Sequence, residues 1–111
     1  MTGKPVQLSV TLPIGMHDRV RDEARQMRAR TNERVTIGDI YKAAIGALAA
    51  RLERGETITF AAHPRRGVSR HSIRVDAASA AHTTRCLSIT TQSSFVATAI
   101  RHHLPKENDH G

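Results

Sequence analysis

Aromatic residues are almost missing from this 111-residue chain: it has no tryptophan, one tyrosine and two phenylalanines, so any core it builds is aliphatic. Cys86 is the single cysteine, which excludes a disulfide within the chain and fits a cytoplasmic setting. No apolar run approaches the ~20 residues needed to cross a bilayer, and the N-terminus lacks the apolar stretch of a signal peptide. The histidines, at positions 17, 63, 71, 82, 102, 103 and 110, are not set at metal-ligand spacing with acids or cysteines. Neither a glycine-rich phosphate loop nor a nucleophile motif occurs, and Cys86 beside Leu87 reads as a small buried hydrophobe. These absences point away from an enzyme, a cofactor, a metal and a membrane partner.

Positive charge, by contrast, is plentiful. A formal net charge of +7 calls for an acidic partner, with nucleic acid first among the candidates. The charge is not a tail: residues 1–55 hold 10 basic and 6 acidic side chains, and residues 56–111 hold 7 and 4. The length suits one domain, or two very small units sharing one core.

Val6, Leu8, Val10 and Leu12 alternate with Gln7, Ser9 and Thr11, the period of a strand with one buried and one exposed face. A lone strand leaves its edges unpaired. The matching segment is Arg70-His71-Ser72-Ile73-Arg74-Val75, where Arg70, Ser72 and Arg74 alternate with His71, Ile73 and Val75. Paired antiparallel, the two strands make a ribbon with an apolar underside and a polar top. That top carries Gln7, Ser9, Thr11, Arg70, Ser72 and Arg74, side chains of the kinds that read base edges in a DNA major groove.

Pro13 closes the first strand and suits the first turn of a helix, whose stripe Met16, Val20, Ala24 and Met27 continues to about Arg30. Asp18/Arg21 and Asp22/Arg25 pair on its outer side. After a turn at residues 30–34, Thr36-Ile37-Gly38-Asp39 reads as a helix start with a threonine N-cap and an acid three residues later. Ile40, Tyr41, Ala44, Ile45, Leu48 and Leu52 follow on one stripe, which places Tyr41 in the core, and Gly55 stops the helix. Residues 55–68 read as a linker in which Ile58 and Phe60 lay an extended segment onto the core. Asp76 is the expected N-cap of an alanine-rich helix from Ala77 to about Arg85. Beyond a turn at residues 86–89, Thr91 caps a last helix with Phe95, Val96, Ala99, Ile100 and Leu104 on one face, ended by Pro105.

The second half repeats the first. Thr91 set beside Thr36 aligns Phe95 with Ile40, Ala99 with Ala44 and Ile100 with Ile45, at a shift of 55; Ser72 set beside Ser9 aligns the strands at a shift of 63. The difference makes the middle of the second unit eight residues shorter. Divergent internal duplication accounts for both. The expected fold is mainly α with a two-stranded antiparallel ribbon, two units in one chain forming a pseudo-twofold single domain. Its first unit spans residues 5–54, its linker 55–68 and its second unit 69–104, with 1–4 and 105–111 as loose ends.

The order strand, helix, turn, helix, together with Pro13 and the run Val35-Thr36-Ile37-Gly38-Asp39-Ile40-Tyr41, resembles the ribbon-helix-helix DNA-binding family of the Arc and MetJ repressors. The likeness covers about residues 5–54 closely and 69–104 more loosely. In that family two short units pair their strands into one ribbon that enters the major groove. The resemblance implies base reading by Gln7, Ser9 and Thr11 and, through the repeat, by Arg70, Ser72 and Arg74. It implies phosphate binding at the helix starts, Thr36, Ile37 and Gly38 with Thr91, Gln92 and Ser93, where free amides and the helix dipole favour an anion. Arg34, Lys42, Arg65 and Arg66 are candidate phosphate contacts of a less specific kind.

Holding both units in one polypeptide is similar to the TraY-type accessory proteins of conjugation and to the virulence-region protein that binds beside T-DNA borders. That likeness implies a role near a nick site, with a relaxase complex or a partner ATPase nearby and side-by-side assembly on DNA. The second unit departs from the family pattern: His71 occupies an inward strand position, Asp76 stands in place of the proline, and the helix after it is short. A repressor or plasmid partition regulator of the same fold, and a protein-interaction module, are the alternatives.

Overall fold

A computed structural model of the chain describes residues 5–61, 66–87 and 89–104. Two strands and four helices follow in the order β1 (Val6–Pro13), α1 (Met16–Thr31), α2 (Ile37–Glu53), β2 (Val68–Val75), α3 (Ala77–Arg85) and α4 (Gln92–His103). β1 and β2 pair antiparallel as a two-stranded sheet, with Ser9 opposite Ser72, Gln7 opposite Arg74 and Thr11 opposite Arg70. Because side chains alternate between the faces of a strand, Leu8, Val10, Leu12, Ile73 and Val75 are buried against the helices and the polar partners lie on the opposite face.

Strand pairing runs further than the alternation alone predicts. β2 begins at Val68, inside the segment read as a linker and two residues before Arg70, and Val68 pairs with Pro13. Pro13 is therefore the last residue of β1 and not the first of α1. A two-stranded sheet has only edge strands, where a residue without an N–H is tolerated. The helix starts three residues later, after Gly15 takes a φ of 92°, a left-handed turn that a side chain would strain. At its other end α1 stops at Asn32, also left-handed (φ 57°), whose N–H donates to the Arg28 carbonyl.

The expected stripes form the core. Met16, Val20 and Ala24 of α1 are buried, as are Ile40, Tyr41, Ala44, Ile45 and Leu48 of α2. The outer pairs Arg21–Asp18 and Arg25–Asp22 lie at 3.4 and 3.7 Å. α4 differs from its one-sided expectation: residues 94–100 are all buried. The extended segment after α2 explains part of this. Ile58 and Phe60 pack on the core, Phe60 tilts against Phe95 with ring centroids 6.4 Å apart, and the Ala61 amide donates to Thr98 Oγ1 at 2.8 Å. Thr98 in turn donates to the Ser94 carbonyl at 2.7 Å, so this polar side of α4 is buried with its hydrogen bonds made.

His63, Pro64, Arg65, Ser88 and Pro105, like the termini 1–4 and 106–111, lie outside the described residues. Among the described residues no helix is long and apolar enough to cross a membrane.

Candidate nucleic-acid interface

The exposed face of the ribbon is a strip of short polar groups with an arginine near each end. Gln7, Ser9, Arg70, Ser72 and Arg74 are exposed and Thr11 is half-buried. The cross-strand pairs run Gln7–Arg74, Ser9–Ser72, Thr11–Arg70, so both arginines belong to β2 and each faces a neutral residue. Among the described residues neither arginine has a carboxylate within ion-pair distance. Arg21, Arg25, Arg30, Arg51 and Arg54 each have one.

A helix start stands at each edge of this strip. At α2 the Thr36 hydroxyl accepts from the Asp39 amide (3.1 Å) and the Asp39 carboxylate accepts from the Thr36 amide (2.9 Å), a reciprocal capping box. At α4 the Thr91 hydroxyl accepts from the Ser94 amide at 3.1 Å. The amides of Ile37, Gly38, Gln92 and Ser93 occupy first turns, where helix geometry supplies no intrahelical acceptor. The Thr36 amide, with help from Lys42, holds the Asp39 carboxyl below its usual range. Lys42 Nζ lies 3.2 Å from that carboxylate. The α4 start has no acidic residue in its first turn, so the two anion-favouring ends differ in charge.

Both helix starts are locked onto the ribbon. Gly38 lies so close to β2 that a Cβ at this position would stand 2.8 Å from the Arg74 carbonyl oxygen. On the other edge, Ser93 Oγ accepts from the Thr11 amide and Gln92 Nε2 donates to the Ser9 carbonyl, each at 2.8 Å. Thus the twelve residues picked from the sequence lie together, with the ribbon in the middle and a helix start on either side. The sequence does not predict the clamping by the Gln92 and Ser93 side chains. Their only signal is that polar residues follow Thr91 where Ile37 and Gly38 follow Thr36. Of the less specific candidates, Arg34 and Arg66 are exposed, Lys42 is held by Asp39, and Arg65 lies outside the described residues.

Between α2 and β2 a groove of about 670 Å³ is lined by Thr36, Gly38, Lys42, Arg74 and Asp76 together with Tyr41 and His17. Beneath the ribbon His17 stacks on His71, ring centroids 4.2 Å apart and 14° from parallel. His17 Nδ1 lies 2.8 Å from the Tyr41 hydroxyl, and His71 Nε2 the same distance from Ser69 Oγ. His71 thus fills an inward strand position by pairing with another imidazole. Burial first, then the neighbouring His71 and Arg21, lower the His17 pKa, with Asp18 opposing. A histidine whose folded pKa lies below its unfolded value binds more protons unfolded, so stability rises with pH across that interval. Thermal melts should therefore show Tm falling as pH drops below about 6.5, the unperturbed histidine value. In His17→Gln this dependence should flatten; an unchanged slope would place its origin elsewhere.

Among the described residues no group of three or more histidine, cysteine, aspartate or glutamate side chains is placed to hold a metal ion. Burial raises the pKa of the half-buried Cys86 thiol, the opposite of what a nucleophile needs. Comparison with protein-family models, with curated proteins and with solved structures gave no match to this chain.

Proposed function

We propose that the protein binds double-stranded DNA sequence-specifically through the β1–β2 ribbon, as a single-chain ribbon-helix-helix protein. The observation that carries this reading is the register. With Ser9 opposite Ser72, six hydrogen-bonding side chains lie on the outward face of a two-stranded ribbon, the width a major groove admits, and a helix start that could take a phosphate abuts each edge.

The internal repeat gains support from the contacts. The shift of 63 that carries Ser9 onto Ser72 carries Thr11 onto Arg74, and the shift of 55 that carries Thr36 onto Thr91 carries Gly38 onto Ser93. Gly38 abuts the Arg74 carbonyl and Ser93 accepts from the Thr11 amide, so equivalent residue positions meet twice, with the units exchanged. That exchange supports reading the chain as one pseudo-twofold domain of units 5–54 and 69–104. A monomer is then already the binding species, because the chain connection replaces most of the association entropy of two subunits. Its two strands differ, so its site is not a palindrome.

The role that fits best is an accessory factor in conjugative or T-DNA processing, marking DNA near a nick site for a relaxase complex or partner ATPase. A transcriptional repressor or partition regulator would use the same surface. A footprint across the replicon that encodes the protein, at near-physiological salt, separates the two: protection beside a transfer origin or border supports processing, and protection confined to a promoter supports repression. No specific protection at all would leave the protein-interaction reading in place of DNA binding. In the same assay Arg74→Ala should weaken specific binding about tenfold to a hundredfold, the worth of one bidentate arginine–guanine pair. Unchanged affinity and base preference in Arg74→Ala would contradict base reading by the ribbon.

A further inference from the structure

We infer that Arg70 and Arg74 read two guanines four base-pair steps apart on one DNA strand, a GNNNG element. This rests on the proposed entry of the ribbon into the major groove and adds the spacing and strand of the bases read.

Arg70 and Arg74 lie on the exposed face of one strand, four residues apart. At roughly 3.4 Å per residue their backbones are about 14 Å apart. Base pairs in B-DNA rise ~3.4 Å each along one strand, so the same distance spans about four steps. The strand on which the guanines fall comes from the asymmetry. Were one arginine on each strand, the two would lie on opposite sides of the ribbon axis and select an inverted repeat. Both are on β2, offset to one side by the ~4.8 Å spacing between paired strands, and so both face the base edges of the same DNA strand. Guanine is the base whose O6 and N7 accept the paired donors of an arginine.

Two further features favour arginines that read over arginines that are merely solvated. Neither has a carboxylate to give up among the described residues, unlike the five paired arginines elsewhere. Their backbone positions are also held from outside the ribbon: the Arg74 carbonyl by the close approach of Gly38, and Thr11, opposite Arg70, by its bond to Ser93. A reader on a fixed backbone loses less freedom when it engages a base. Between the arginines stand Ser72 and Ser9, whose short hydroxyls discriminate bases weakly. Gln7, opposite Arg74, faces the other DNA strand and favours adenine there, which gives the element a direction.

The test is selection from a pool of duplexes with a randomised 20-base-pair segment, using the full chain as wild type, Arg70→Ala and Arg74→Ala. Both residues are exposed, and unchanged thermal melts will show that the variants fold. Wild type should enrich GNNNG on one strand. Each alanine variant should keep one guanine, lose its preference at the other, and bind the wild-type element about tenfold to a hundredfold more weakly. A specific motif without paired guanines, or with guanines on opposite strands as an inverted repeat, overturns the spacing while DNA reading by the ribbon stands. Failure of wild type to enrich any motif overturns both.

Discussion

Tyr41→Ala should remove about 3–5 kcal/mol of folding stability, the range for deleting a large buried aromatic side chain. Tyr41 is 0% exposed, and it is the largest of the fully buried side chains in a core that has little other aromatic volume. Its ring packs from α2 into the space under the ribbon, and its hydroxyl meets His17 of α1, which stacks on His71 of β2. Truncation opens a cavity at the junction of three elements and leaves a half-buried imidazole without its partner. Domains of this size are stable by only about 5–15 kcal/mol, so Tm should fall by roughly 15 °C or more. Tyr41→Phe keeps the ring and removes one hydrogen bond, at a cost of about 1 kcal/mol. Thermal melts of both variants followed by circular dichroism test this. An alanine variant no worse than the phenylalanine variant would mean that ring packing contributes little.

A pair of glycine substitutions in the same helix should have opposite signs. Gly46 has nothing within 4 Å of where a Cβ would go, so Gly46→Ala should stabilise α2 by about 0.5–1 kcal/mol through reduced backbone entropy. Gly38→Ala places its methyl 2.8 Å from the Arg74 carbonyl oxygen, a backbone atom that cannot swing away. The helix start and β2 must separate, and overpacking of this kind costs about 1–3 kcal/mol. On the proposed function the separation also moves a phosphate-binding amide away from the base-reading strand. Gly38→Ala should then lose DNA affinity by more than its remaining folded fraction explains, while Gly46→Ala binds normally. Equal Tm shifts of the same sign in the two variants would contradict the close approach.

The features legible in the sequence are those set by local chemistry. The two alternating strands, the threonine caps at 36 and 91, the aspartate cap at 76 and the apolar stripe of α2 each depend on a few neighbouring residues, and the structure has all of them. Ser72, the repeat equivalent of Ser9, is also its cross-strand partner, but the repeat alignment does not itself specify that pairing; it is held by the burial of Leu8, Val10 and Leu12, which a one-residue slip would turn to solvent. The clamp of Gln92 and Ser93 on β1 was not legible: it joins residues far apart in the chain through a strand edge that no local pattern marks. The same holds for the His17–His71 stack, which solves the problem of an inward imidazole with a second one. The burial of residues 94–100 of α4 on every side was hidden by composition, since Ser94 and Thr98 look like an exposed face until the chain packs over them, as Ala61 does on Thr98. Pro13 closes β1 as the sequence suggests; what proline's fitness for a first helical turn could not show is that Gly15 intervenes and α1 begins only at Met16.

The most direct test of DNA reading by the ribbon is methylation interference on a duplex that the protein binds specifically. Dimethyl sulfate modifies guanine N7 in the major groove and adenine N3 in the minor groove, and on the proposed function Arg70 and Arg74 bond guanine O6 and N7. Interference at guanine N7 within the protected segment, lost at one guanine in Arg74→Ala and at the other in Arg70→Ala, is the expected result. Interference confined to adenine N3, or binding indifferent to methylation at every guanine, would contradict a ribbon seated in the major groove.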